Sequence, residues 1–487
     1  MMNVQYDAPL FNALINYKSS EPDIMHMPGH KMGRGLPDIF KDNMPYIDVT
    51  EIDGTDNLHF PEGSIKLAQE MAAKAFGAKK TYFLVNGSTC GILAIINSVC
   101  QQGDTLIVGR DCHISAVNAM MLSGTKPIFV HPAFNYTFGL DTVIDPENIR
   151  QAIEDTLSCK GVFVTSPNYF GICSDIESIS KIVSEYGKIL IVDEAHGAHL
   201  CYSQKLPKCS MQQGADICVQ SAHKTLSAIN QGAFVHINSS KIDIDRLEFY
   251  LRVFQTTSPS YIIMASLDIA RAIMQHEGRI KLDELINHIN SFEALIMRKT
   301  RFKFLQKCDL THGDKDITRI VVNTTEANIR GYVVDLELKN KYNIYSECVY
   351  FDNIVFISTI ADDREIFVRL AKALIEIFND EHVINSEIVR NSEHVINSEH
   401  VSDIVEKFCP VVLPRLDFIK TREIELTKAA GEKAATNIIP YPPGIPALIC
   451  GDKITDAIIN IIISYIKEGM TVNGLRDNTF IRIIDEG

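Results

Sequence analysis

Between residues 81 and 220 short apolar runs alternate with longer stretches whose apolar residues recur at helical spacing. No other feature constrains the fold as strongly. Residues 81–85, 104–108, 127–130, 161–165, 188–193 and 217–220 read as strands, and 88–100, 113–122 and 176–186 as helices. Parallel strands need a crossover between them, and a helix is the usual one. The order therefore predicts an α/β fold, a mostly parallel sheet with helices on both faces. Ligands of such sheets bind beyond the carboxyl ends of the strands. Gly87, Asp193 and Ser221 stand at or just past strand ends, so three candidate segments meet on one rim.

At 487 residues the chain has room for several domains. Residues 1–63 read as an N-terminal arm, irregular and rich in Pro, Gly, His and Asp from residue 17 onward. Residues 64–300 read as the large domain, with a helical stretch at 269–297. Residues 301–380 form a smaller α/β domain, 381–402 a linker and 403–487 a C-terminal domain. The linker holds a tandem duplication, EHVINSE at 381–387 and again at 393–399, to which no function is assigned. A net charge of −14 argues against nucleic acid, whose phosphates are held by clustered Lys and Arg. The 12 cysteines are scattered without a C-x-x-C pair, which points to a reducing cytoplasm. No signal peptide is evident, and the apolar run at 457–463 is too short to span a membrane.

The chemistry concentrates at Ser221-Ala222-His223-Lys224-Thr225-Leu226. A lysine amine catalyses by forming an imine with a carbonyl compound, and pyridoxal phosphate is its commonest such partner. Ser221 and His223 offer hydroxyl and imidazole donors to the phosphate. Asp193, ending the apolar run before Glu194-Ala195-His196, is placed to hold the pyridine nitrogen protonated. Asn86-Gly87-Ser88-Thr89 opens a helix, where free amides and the Ser88 and Thr89 hydroxyls either bind phosphate or cap the helix. His113 can stack on a flat cofactor ring or serve only the structure. His196 suits a cofactor oxygen or a substrate carboxylate. His196 and His199 lack the acid that a metal site of this spacing needs, so no metal is expected.

These residues resemble the bacterial ornithine/lysine/arginine decarboxylase family, of the aspartate-aminotransferase fold type. The resemblance rests on His26-Met27-Pro28-Gly29-His30-Lys31, on Asp56-Asn57-Leu58-His59 with Pro61 and Gly63, and on the Asp193 and Lys224 segments with Gln231-Gly232. Thr256-Thr257-Ser258-Pro259-Ser260-Tyr261 and Tyr441-Pro442-Pro443-Gly444-Ile445-Pro446 complete it. It implies pyridoxal phosphate on Lys224, Asp193 at its ring nitrogen, and Ser88, Thr89, Ser221 and His223 at its phosphate, with His113 stacked on the ring. It also implies Thr257 reaching a neighbouring subunit's cofactor phosphate, hence a homodimer or larger homo-oligomer. Glu347 aligns with an acid near the substrate's distal cation, and His30 and Asp56 are further substrate-side candidates. Asp48, Glu51 and Asp53 are other acids in the arm. The motif at His26 begins within thirty residues of the start, as in the branch without a receiver-like wing domain, which includes arginine decarboxylases of polyamine synthesis.

The expected reaction is decarboxylation of arginine to agmatine, with lysine to cadaverine or ornithine to putrescine as neighbouring choices. Alternatives on the same fold are an aminotransferase or a carbon–sulfur lyase, which release no CO2, and a catalytically silent relative.

Overall fold

The computed structural model describes residues 8–384, 408–410, 420–441, 444–467 and 469–485. The alternating segment forms β1 (Lys80–Leu84), α1 (Gly87–Val99), β2 (Thr105–Gly109), α2 (Ile114–Ser123) and β3 (Lys126–Val130). It continues through α3 (Pro146–Asp155), β4 (Gly161–Thr165), α4 (Ile176–Glu185), β5 (Ile189–Asp193), β6 (Ile217–Gln220) and β7 (Ala233–Ile237). Strand order is Phe408–Pro410, β3, β2, β4, β5, β6, β7, β1. The four central pairings, from β3 to β6, are parallel. Both ends are antiparallel: β7 against β6 and β1, and Phe408–Pro410 against β3. The sheet is thus mixed, and β7 is a strand that the sequence reading lacks.

Helices cover both faces, which is why the central strands are apolar along their whole length. Side chains alternate across a strand. Ile191 accordingly faces a core shared with α1, α2 and the helix Ile244–Phe254, whereas Leu190 and Val192 face a second core shared with α3, α4 and the helix Arg279–Lys299. Asp145 and Asp175 cap α3 and α4, accepting from Glu147 N and Ser178 N. The helix read at 269–297 is two helices, Tyr261–Ile273 and Arg279–Lys299, joined by a π-helical turn at Met274–Gly278.

A smaller antiparallel sheet follows, ordered Lys303–Phe304, Arg319–Asn323, Asn353–Ile357, Cys348–Tyr350. The arm is less irregular than expected. It contains the helix Pro9–Ser19, and its strand Asp23–Met25 pairs with Ile344–Ser346. Lys31 fastens it further: fully buried, it donates to the carbonyls of Ile357 (2.6 Å) and His26 (3.0 Å). The last segment builds its own core around the helix Asp456–Lys467 and the strands Thr421–Glu425 and Phe480–Ile484. Most of the duplicated linker, from residue 385 on, lies outside the described residues, as do Pro442 and Pro443. Among the described residues no helix is long and apolar enough to cross a membrane.

Candidate active site

The carboxyl ends of β1, β5 and β6 deliver three of the expected groups to one rim. Lys224 sits in a one-turn helix, Ala222–Thr225, directly after β6. Its Nζ lies 3.2 Å from His196 Nε2. Burial lowers its pKa from 10.5 to about 8, while the nearby Asp193 carboxylate pulls it back up. Solvent still reaches Lys224, which is half-buried. Asp193, at the end of β5, is 2% exposed and accepts from Ala195 N. Burial raises its pKa and the Lys224 charge opposes that rise.

The phosphate candidates also converge. Ser221 Oγ donates to Ser88 Oγ at 2.8 Å, joining the end of β6 to the start of α1. No side chain caps α1, and Gly87 (φ +72°) has open space where a side chain would begin. Uncapped amides beside paired hydroxyls are the donor set an anion takes at a helix N-terminus. Thr89, one residue on, is exposed. His223 uses Nδ1–H on the Gly232 carbonyl (3.0 Å), leaving Nε2 outward, and burial lowers its pKa to about 4. This constellation fits pyridoxal phosphate: a lysine with a depressed pKa, a buried carboxylate and an open anion cradle within one rim.

His113 caps α2, its Nδ1 accepting from Ser115 N (3.2 Å), so the expected stacking residue also has a structural duty. Its other neighbour is Gly444, where a Cβ would come within 3.1 Å of the imidazole. Gly29 of the arm lies closer still to the lysine segment. Its N–H donates to the His223 carbonyl (2.7 Å), and a Cβ there would meet Leu226 O at 2.5 Å. The Pro-Gly-His-Lys motif is therefore a seat for the Lys224 turn.

Of the substrate-side candidates, Glu347 reaches the site but is already engaged. Its Oε1 accepts from Tyr169 Oη (2.7 Å) and its Oε2 from Met27 N (3.0 Å). His30 accepts from Gly33 N (2.9 Å) and lies near enough to His223 to lower its pKa. Asp56 is engaged by the backbone. Its two oxygens accept from the amides of Asn57, Glu62, Gly63 and Ile65 at 2.8–3.0 Å, pinning the start of the helix Ser64–Phe76. Thr257 is exposed in a loop.

Two residues absent from the sequence reading complete the wall. Arg319 heads the strand Arg319–Asn323 and is 1% exposed; its Nη2 donates to His196 Nδ1 at 2.7 Å. Tyr169 presents its face to the Arg319 guanidinium (5.9 Å) and stands edge-on to the His196 ring (5.3 Å, 79°). A charged residue opening the apolar run Ile320-Val321-Val322 was the one signal available in the sequence.

Residues 8–316 match the family described as Orn/Lys/Arg decarboxylase, major domain, and residues 417–473 its C-terminal domain. A protein of Bacillus subtilis named arginine decarboxylase is 32% identical over 99% of both chains. Another of that name from Bacillus anthracis is 33% identical over 99% of this chain and 98% of its own. Among solved structures, lysine decarboxylase A from Pseudomonas aeruginosa superposes with a TM-score of 0.76 at 19% identity, covering 98% of this chain and 80% of that one.

Proposed function

The chain belongs to the Orn/Lys/Arg decarboxylase family of pyridoxal-phosphate-dependent amino-acid decarboxylases, and we propose that its own substrate is arginine, released as agmatine. The observation that carries this reading is the end-to-end similarity to proteins named arginine decarboxylase. A lysine decarboxylase of Pseudomonas aeruginosa, by contrast, is 25% identical over 59% of this chain.

In this reading Lys224 carries the cofactor, Asp193 faces its ring nitrogen, and Ser88, Thr89, Ser221 and His223 hold its phosphate. When bound, the ring supplies an electron sink for the pair left behind by departing CO2. The remaining work belongs to the protein. Lys224, with its lowered pKa, offers a free amine near neutral pH more often than a solvated lysine does. Burial raises the Asp193 pKa and a charged Lys224 opposes that rise; in this reading Asp193 is the carboxylate that keeps a ring nitrogen protonated. His223, whose Nδ1–H is already used, donates to phosphate from Nε2 once the anion's charge favours its protonated form. His113 and His196 flank the lysine, and Tyr169 keeps Glu347 in place on the substrate side. An ionised carboxylate has about four lone-pair sites, so Glu347 keeps acceptors for a guanidinium beyond the two it uses. His30 stands as a second substrate-side residue.

The assembly in this reading is a homodimer in the cytoplasm. Ile39, Tyr46, Ile52, Phe60 and Leu67 are each more than half exposed, apolar side chains suited to a partner subunit. The eleven cysteines whose side chains the structure describes are free, in keeping with a reducing compartment.

The test is the purified holoenzyme offered arginine, lysine and ornithine separately, with products identified by mass. Agmatine should dominate. Cadaverine or putrescine as the main product overturns the substrate assignment.

A further inference from the structure

Arg319 is a buried guanidinium that pairs with no carboxylate among the described residues. Nη2 donates to His196 Nδ1 at 2.7 Å, and Nη1 has no hydrogen-bond partner. An arginine side chain has only donors and does not deprotonate in proteins. The nitrogen it touches must therefore accept. That leaves the imidazole proton on His196 Nε2, the nitrogen 3.2 Å from Lys224 Nζ. A donor at Nε2 requires a lone pair at Nζ, because an ammonium group has none. One arginine thus specifies the protonation state of His196 and biases that of Lys224.

We propose that Arg319 is a positioning residue of this site: it holds His196 as the neutral Nε2–H imidazole and, through it, favours the free amine of Lys224 over its ammonium form. The arginine is itself fixed. A Cβ on Gly171 (φ +77°) would fall 2.5 Å from Arg319 Cβ, so the glycine makes the room that the side chain occupies. Tyr169 lies against the guanidinium on one side and the His196 ring on the other, so the three cannot reorient independently. Burial and the neighbouring charges bear on both groups. Burial first, then the Arg319 guanidinium with His113 and His223, holds the His196 pKa well below the usual value, and Lys224 adds to this whenever it is charged. Lys224 is faced by Asp193 and Glu347, which favour its charge, and by Arg319, which opposes it. Once carbonyl chemistry occupies Lys224, His196 presents a proton, rather than a lone pair, toward that nitrogen.

The inference rests on Lys224 being the reactive lysine, and its test is made on the cofactor-free chain. With ¹⁵N-labelled histidine, and His196→Asn to assign the signals, His196 should show a pyrrole-like Nε2 and a pyridine-like Nδ1. The pattern should hold from about pH 5.5 to about 8.5, a range in which an ordinary histidine titrates. Arg319→Met should release it, giving a titrating ring or a tautomer mixture, whereas Arg319→Lys, still a cationic donor, should restore it. Capture of pyridoxal phosphate by Lys224 near pH 7 should slow about tenfold in Arg319→Met, equivalent to one pKa unit. A pyrrole-like Nδ1 in the unmodified chain overturns the proposal, and so does an unchanged signature in Arg319→Met. Should Arg319→Met fail to fold, the unmodified spectrum decides alone. A holoenzyme that releases no CO2 from any basic amino acid while this signature holds would remove the proposed function and leave the inference standing.

Discussion

Lys224 acquires its reactivity from its position just after a buried strand, where burial outweighs the pull of the Asp193 and Glu347 carboxylates. Its pKa is lowered from 10.5 to about 8, so the free-amine fraction is half at about pH 8 and saturates about one to two units higher. In the cofactor-free chain, reductive alkylation at Lys224 should level off there, while exposed lysines, half deprotonated only at about 10.4, continue to gain reactivity. A Lys224 profile matching the exposed lysines would contradict the burial argument. Asp56 makes the opposite case, an acid in a family-like motif whose work is structural. Asp56→Ala should cost about 1–2 kcal/mol, as loss of a helix-capping side chain does, and leave KM unchanged. Its pKa is lowered in the folded chain, so its stabilisation is complete above about 3.8 and disappears as pH falls below that value. Thermal melts at two pH values separate this from a substrate contact, which would raise KM without lowering Tm. Lys224 and Asp193 stand out in the sequence because Asp193 ends a strand and Lys224 closely follows one, each inside a short motif. Arg319 does not, since it meets His196 across 123 positions and only the fold brings them together.

At the level of elements, the central strands were legible because burial on both faces makes them continuously apolar. The strand Ala233–Ile237 was missed because an antiparallel return breaks the βα alternation used to find the others. The π-helical turn at Met274–Gly278 leaves the apolar spacing nearly intact, so two helices read as one. The arm misled differently. Its Pro and Gly residues signal loop, and nothing local reveals that Gly29 backs onto the lysine turn or that Lys31 is fully buried. Gly29→Ala is the test at this scale. The added Cβ would fall 2.5 Å from Leu226 O, so the arm or the Lys224 turn must shift. Overpacking of this kind costs about 1–3 kcal/mol. Cofactor should be lost more readily on dialysis, with activity reduced about tenfold or more by this displacement. Unchanged cofactor retention would show that the arm is not a seat for the turn.

Across the whole molecule, apolar side chains of the arm remain uncovered in the single chain: Tyr46 is 80% exposed and Phe60 67%. In the dimer proposed above these residues meet a second subunit. Phe60→Asp should then shift the sedimentation profile toward monomer and lower activity with it, through loss of the Thr257 loop from the neighbouring site. A variant that stays dimeric would place the interface elsewhere. All the larger assignments depend on one point, the bond between cofactor and Lys224. Borohydride reduction of the holoenzyme, followed by digestion and mass spectrometry, measures it directly. One pyridoxyl-modified lysine per chain is expected, at Lys224, and no stable adduct in Lys224→Ala. A modified lysine at any other position, or an unmodified Lys224 in active enzyme, would contradict this assignment.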